Sequence, residues 1–214
     1  MINKLLDRLS KDYKLNEIEV GEFSNFKAKG MEFVISAYKA EGLGHVSVMK
    51  AKGFFGLMKM DTVIIVPFNK DLPLYSYDRI YVMKNDTLIV ELYNTMINNA
   101  DFSKLDEVKN EYTHLTERDP GVHWYDPIKL PQSISKKAKK VNSNELDELT
   151  IKHFEKYLNT KVETIDDLEQ KNKLSSQYVL GLLKHGGPST DVFIKLFGEE
   201  KTTELYKKIL FGIN

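Results

Sequence analysis

No cysteine occurs among the 214 residues, which excludes disulfides, thiolate zinc sites, cysteine-held iron–sulfur clusters and any group attached through a thiol. If electrons move in this protein, a separate protein or a diffusible cofactor must bring them. Net charge is lacking as well. Thirty-one Lys and Arg balance 31 Asp and Glu, so no global field gathers nucleic acid or an anionic membrane, and a basic footprint has to be local. No apolar run approaches the roughly 20 residues that span a bilayer. The start, Met1 to Tyr13, is amphipathic and contains acids, unlike a secretory signal, so a cytoplasmic protein is expected.

The common catalytic signatures are missing too. Gly42-Leu-Gly44 leads into a strand instead of a helix N-terminus, so it makes no dinucleotide fingerprint. There is no Gly-x-x-x-x-Gly-Lys-Ser/Thr loop, nucleophile elbow or His-Glu-x-x-His helix. The five histidines, at 45, 114, 123, 153 and 185, lack ligand spacing on any one element. His114 and His123 flank Glu117 and Asp119, but in a proline-containing loop that pattern is ordinarily solvated surface and only rarely a metal site.

What is present reads as one domain over residues 1–214, a size that buries roughly 70% of the surface its unfolded chain exposes. Ile2, Leu5, Leu6, Leu9 and Tyr13 repeat at helical spacing. Period-2 patterns then run over Met31 to Tyr38, Val46 to Lys50, Met60 to Val66, Tyr77 to Met83 and Thr87 to Tyr93. The third is apolar on both sides, which places it mid-sheet with both faces covered. Connections at Gly42-Leu-Gly44, Gly53-Phe-Phe-Gly56 and Lys84-Asn-Asp86 are hairpin-sized and predict an antiparallel meander.

Asp101 to Tyr112 reads as a helix, and Glu117 to Ser135 as irregular. Asn142 and Glu145 have capping-box spacing ahead of the apolar stripe Leu146, Leu149, Phe154, Tyr157 and Leu158. A further helix is expected from about Ile165 to Lys184, broken by His185-Gly-Gly-Pro188, then Ser189 to Phe197 ending at Gly198, then Glu199 to Phe211. The fold class is therefore α+β, a three-layer α/β/α sandwich with a central antiparallel sheet and the C-terminal helices on one side.

Strand alternation turns Asp78 the same way as Ile80 and Val82, with Tyr77, Arg79 and Tyr81 opposite. An acid on an apolar face has two readings. Burial raises its pKa, so it holds a proton near neutrality and can deliver it to a bound molecule. Alternatively it sits at a strand mouth and caps a Tyr75-Ser76-Tyr77 turn through its side chain, the more ordinary role.

His45 shares a face with Ser47 and Met49, either a polar mouth to an apolar wall or a satisfied edge histidine. His185 suits a helix C-terminus and could also line a pocket mouth. Lys136-Lys-Ala-Lys-Lys140 is a basic patch in an expected linker, ordinarily a solubility device and otherwise a dock for an acidic protein. Phe54, Phe55, Trp124 and 11 tyrosines supply aromatic surface suited to a flat conjugated ligand, though core packing accounts for most of it.

Taken in order, Val63-Ile-Ile-Val-Pro67, Asp71-Leu-Pro-Leu-Tyr-Ser-Tyr-Asp78, Leu88-Ile-Val-Glu-Leu-Tyr93, Trp124 before a proline-rich stretch, Phe197-Gly-Glu-Glu200 and Tyr206-Lys-Lys-Ile-Leu-Phe211 resemble the ferredoxin-dependent bilin reductases, whose fold is shared with red chlorophyll catabolite reductase. The resemblance spans roughly residues 30–214. It implies a linear tetrapyrrole held between sheet and C-terminal helices, single electrons from an external ferredoxin or flavodoxin, no covalently bound cofactor, and protons from side chains. Asp78 falls on the family's central aspartate. Ser47 stands where some members carry a strand carboxylate, Thr62 where some carry a histidine, and Asp191 is nearest to an aspartate before the penultimate helix. The resemblance thus implies a reductase with Asp78 as proton donor and His45, Ser47, Thr62, His185 and Asp191 around the ligand, or a non-catalytic binder of a tetrapyrrole or similar flat ligand.

Overall fold

The computed structural model describes residues 1–187 and 190–213. Pro188 and Ser189, expected to break one helix and start the next, lie outside the described residues. The sheet is built from β1 (Leu15–Ile18), β2 (Asn25–Ala28), β3 (Met31–Ala40), β4 (Gly44–Gly53), β5 (Met58–Val66), β6 (Leu74–Val82), β7 (Asn85–Tyr93), β8 (Thr116–Glu117) and β9 (Ile134–Lys139). Its order is β1-β3-β4-β5-β6-β7-β9-β8, with β2 also on β3, and every pairing is antiparallel. The central run β3 to β7 is the expected meander, because the tight turns leave no room for crossovers. No helix among the described residues is long and apolar enough to cross a membrane.

Alternation along each strand splits the core in two. Val46, Val48, Val63, Ile65, Tyr75, Tyr77, Leu88 and Val90 face one way, onto α1 (Ile2–Leu9), α2 (Ser103–Glu111) and α3 (Ser143–Leu158). Met49, Ile64, Val66 and Tyr93 face the other, onto α4 (Leu168–His185), α5 (Thr190–Glu204) and a closing π-helical turn, Leu205–Leu210. The three-layer α/β/α sandwich follows from a strand, β5, whose Val63 to Val66 are all buried.

Several local expectations change. Asn142 is the N-cap of α3 without a side-chain capping bond, since Glu145 turns instead to His114, 2.6 Å away. The side-chain cap sits on α4, where Asp167 accepts from the Gln170 amide at 2.8 Å. Gly198, at φ 79° and ψ 173°, does break the helical run Thr190–Glu204 in two, as expected. Tyr75-Ser76-Tyr77 is not a turn but the middle of β6, so Asp78 has no turn to cap.

Lys136 to Lys139 are not linker either. They form most of β9, paired to β7, and Lys136 is buried, its Nζ reaching Glu117 Oε1 at 2.5 Å and the Leu115 carbonyl at 3.3 Å. Lys137, Lys139 and Lys140 remain exposed.

Candidate functional site

Between the sheet and the tail helices lies a cavity enclosing about 1020 Å³, the open space at its mouth included. Its floor is the face of β5 to β7 that carries Thr62, Ile64, Ser76, Asp78, Ile80, Ile89 and Glu91, with Met49 from β4. Leu182, Phe193, Leu210 and Phe211 close it from above. The other face of the same strands is filled by Tyr75, Tyr77, Leu88 and Val90, each fully buried. The hollow lies on the opposite face of the sheet from these side chains.

Asp78 sits at the centre of the floor. Register puts it opposite Thr62 on β5 and Ile89 on β7, and Thr62 Oγ1 donates to Asp78 Oδ1 at 2.5 Å. The carboxyl is half-buried, and the surface it keeps belongs to the cavity wall. Protein atoms otherwise enclose it. Burial pushes its pKa up to about 6, the Thr62 hydroxyl opposes the shift by bonding the charged form, and the Glu91 carboxylate adds to it by repulsion. Near neutral pH this acid thus has access to both protonation states.

Glu91 is a second carboxyl on the same floor. Tyr93 Oη donates to its Oε2 at 2.5 Å, and Lys129 Nζ lies 3.8 Å from its Oε1. Four tyrosines line the walls: Tyr93, Tyr125, Tyr178 and Tyr206. Burial pushes Tyr125 and Tyr206 up to about 12 and raises Tyr93 and Tyr178 well above the ordinary tyrosine value. Their hydroxyls stay protonated at neutral pH, so they donate hydrogen bonds but do not exchange protons as acids. Tyr178 lies 4.2 Å from Tyr93 between ring centroids, and His123 stacks on Tyr125 at 4.8 Å and 5°. Arg118, Pro120 and His123 form a polar stretch of the wall, and His123 Nδ1 is buried with no hydrogen-bond partner among the described residues.

Of the residues expected around a ligand, the fold brings Asp78 and Thr62 together in the cavity. His45 and Ser47 share a strand face with Met49 but point at the tail. His45 Nε2 lies 2.7 Å from the Ile209 carbonyl, and Ser47 Oγ donates to the Leu210 carbonyl at 2.7 Å. Burial lowers the His45 pKa, and against the Ile209 carbonyl, which can only accept, Nε2 is the donor. A separate hollow lined by His45, Phe68, Lys208 and Gly212 lies behind it, and a side chain at Gly212, φ 63°, would run into the imidazole.

His185 ends α4 exposed, its ring 5.6 Å from that of Trp124. Trp124 lies flat where Gly181 has no side chain, and its Nε1 donates to the Gly186 carbonyl at 3.1 Å. Asp191 is exposed in the first turn of α5. Neither His185 nor Asp191 lines the cavity. Among the described residues no group of three or more His, Cys, Asp or Glu is placed to hold a metal ion.

Glu91 and Arg118 escaped the sequence reading, which named the tyrosines only collectively as aromatic surface and His123 only as a neighbour of Glu117 and Asp119. For Glu91 a signal existed, since alternation puts it on the same face as Ile89 and Tyr93, the very pattern that marked Asp78. For Arg118 and His123 there was none, because their place in the wall depends on how an irregular loop is laid across the sheet.

No protein-family model matches the sequence, and no curated protein matches it. Among solved structures, the chain is similar to that of phytochromobilin synthase from tomato in complex with biliverdin, with a TM-score of 0.75 and 14% sequence identity over 99% of this chain and 81% of that one. The two share a fold.

Proposed function

We propose that this protein takes up an open-chain tetrapyrrole such as a bilin in the cavity between sheet and tail helices and reduces it, with Asp78 as proton donor. The observation that carries this reading is the Asp78 carboxyl, raised to about 6 and facing an aromatic-walled hollow. Apolar and aromatic walls with a few convergent polar groups suit a flat conjugated ligand. The shared fold with a protein whose structure contains biliverdin points to the same ligand class.

Reduction of one ligand double bond takes up two electrons and two protons. The electrons come singly from an external ferredoxin or flavodoxin, since a chain without cysteine holds no cysteine-ligated cluster of its own. Asp78 passes its proton to the ligand carbon or nitrogen that has gained electron density, and water at the mouth returns one to the carboxylate before the second transfer. An acidic carrier would meet Lys137 and Lys140, which are exposed, and not Lys136, which is buried.

Anaerobic addition of biliverdin followed by reduced ferredoxin tests the proposal. The expected sequence is a shifted absorption band on binding, then its loss on reduction. A second reading, a binder that does not convert its ligand, is favoured by the commitment of Ser47 to the tail carbonyl. It predicts the shifted band without its loss.

A further inference from the structure

All four non-glycine residues with left-handed backbone among the described residues, Lys29 (φ 46°), Phe54 (φ 50°), Phe55 (φ 56°) and Met83 (φ 56°), cluster at one end of the sheet. Lys29 is in the turn between β2 and β3, the phenylalanines in the β4–β5 turn, and Met83 in the β6–β7 turn. Pairing of Met31 with Gly53 and a 2.9 Å bond from the Met83 amide to the Leu57 carbonyl tie these turns into one row, about 19 Å long from β3 to β7 at the usual strand spacing. Left-handed backbone is costly for a bulky side chain, and glycine or asparagine would fill such turns without the penalty.

Packing does not repay that cost. Phe55 is fully exposed, Phe54 and Leu57 are each 59% exposed and Met83 70%. Lysines surround these apolar tips: Lys29, Lys52, Lys59 and Lys84 are all exposed. Register places two acids in the same row, Glu32 across from Lys52, and Asp86, which is buried and paired with Arg79. In a chain of zero net charge, this is a local cationic rim around protruding aromatic and aliphatic side chains.

We infer that this sheet end is a docking surface for an anionic lipid bilayer. Phe54, Phe55, Leu57 and Met83 enter the headgroup region while the lysines meet the lipid phosphates and carboxylates. Convex tips in a row fit a deformable plane, whereas a protein partner would need a matching concavity. The inference is independent of the proposed function. It concerns attachment to a surface and requires no membrane-spanning segment.

Co-sedimentation of the full chain with phosphatidylcholine vesicles, with and without phosphatidylserine, tests it. Wild type is expected to pellet with the anionic vesicles and to be released as salt screens the lysines. Phe54→Gly with Phe55→Gly relieves the backbone strain, so the melting temperature holds or rises while vesicle partition falls at least about tenfold, the factor expected for losing one buried phenylalanine. Lys52→Glu with Lys59→Glu lowers partition by about fivefold or more per lysine. Failure of wild type to pellet with anionic vesicles, or equal pelleting by the double-glycine variant, overturns the inference. So does capture of an acidic protein without lipid through these same residues, which would assign the ridge to a protein partner.

Discussion

Thr62 Oγ1 stands 2.5 Å from Asp78 Oδ1 across the β5–β6 ladder, and among the described residues this is the one side-chain hydrogen bond to the carboxyl at the cavity floor. The bond stabilises the charged form, against a burial effect that is larger and opposite. Thr62 thus partly offsets the rise that burial imposes on the Asp78 pKa. Thr62→Val removes the hydroxyl at nearly constant volume, and the Asp78 pKa is expected to rise above its present value of about 6. A carboxyl titration followed by carbon NMR checks the direction; an unchanged or lowered midpoint would contradict it.

The same burial costs stability. The folded-state pKa of Asp78 is raised from the ordinary 3.8 to about 6, so the folded protein binds this proton more tightly than the unfolded chain does. The penalty appears as pH rises through that window and is complete above about pH 6, where it amounts to about 3 kcal/mol. Asp78→Asn is therefore expected to be more stable than wild type at pH 8 by up to this amount, with the advantage vanishing towards pH 3. Urea unfolding at the two pH values measures it, and a variant less stable at pH 8 would contradict the assignment.

Ser47 and His45 fasten the closing turn of the chain to β4, and Leu210 and Phe211 of that segment roof the cavity. Ser47→Ala leaves the Leu210 carbonyl without this partner and is expected to cost about 1–2 kcal/mol of stability. If the roof position matters for the ligand, tetrapyrrole affinity falls with it while the pH dependence set by Asp78 stays in place. Unfolding and absorbance titrations separate the two effects.

Arg79 is on the opposite face of β6 from the cavity and is fully buried, with Asp86 accepting from its Nε at 2.5 Å and from its Nη2 at 2.7 Å. Ser143 Oγ also bonds Asp86. Asp86→Ala leaves the buried guanidinium with Asp147, 3.3 Å from its Nη2, as the remaining carboxylate and is expected to cost about 1.5–3 kcal/mol. Protein that stays folded should bind ligand as wild type does, a control for effects of stability alone.

The meander and the layer order were legible because β3, β6 and β7 alternate and β5 is apolar on both sides, which leaves one arrangement that buries every apolar face. Asp78 was legible for the same reason, as a departure from that alternation. Strand β9 was not: Lys136-Lys-Ala-Lys-Lys140 reads as a solvated run, and what the pattern does not show is its pairing to β7 and β8 with the stem of Lys136 buried beside Glu117. His45 and Ser47 were legible as a polar pair on an apolar face, but their partners, the carbonyls of Ile209 and Leu210, are more than 160 residues away, beyond the reach of any local pattern.

The decisive measurement is anaerobic turnover of biliverdin with reduced ferredoxin by wild type and by Asp78→Asn, followed by absorbance. Wild type should consume the pigment, and the variant should bind it but reduce it about 10²–10⁴-fold more slowly. Equal rates in the two proteins, or no change of the bound pigment's spectrum with wild type, would contradict a proton-donating role for Asp78.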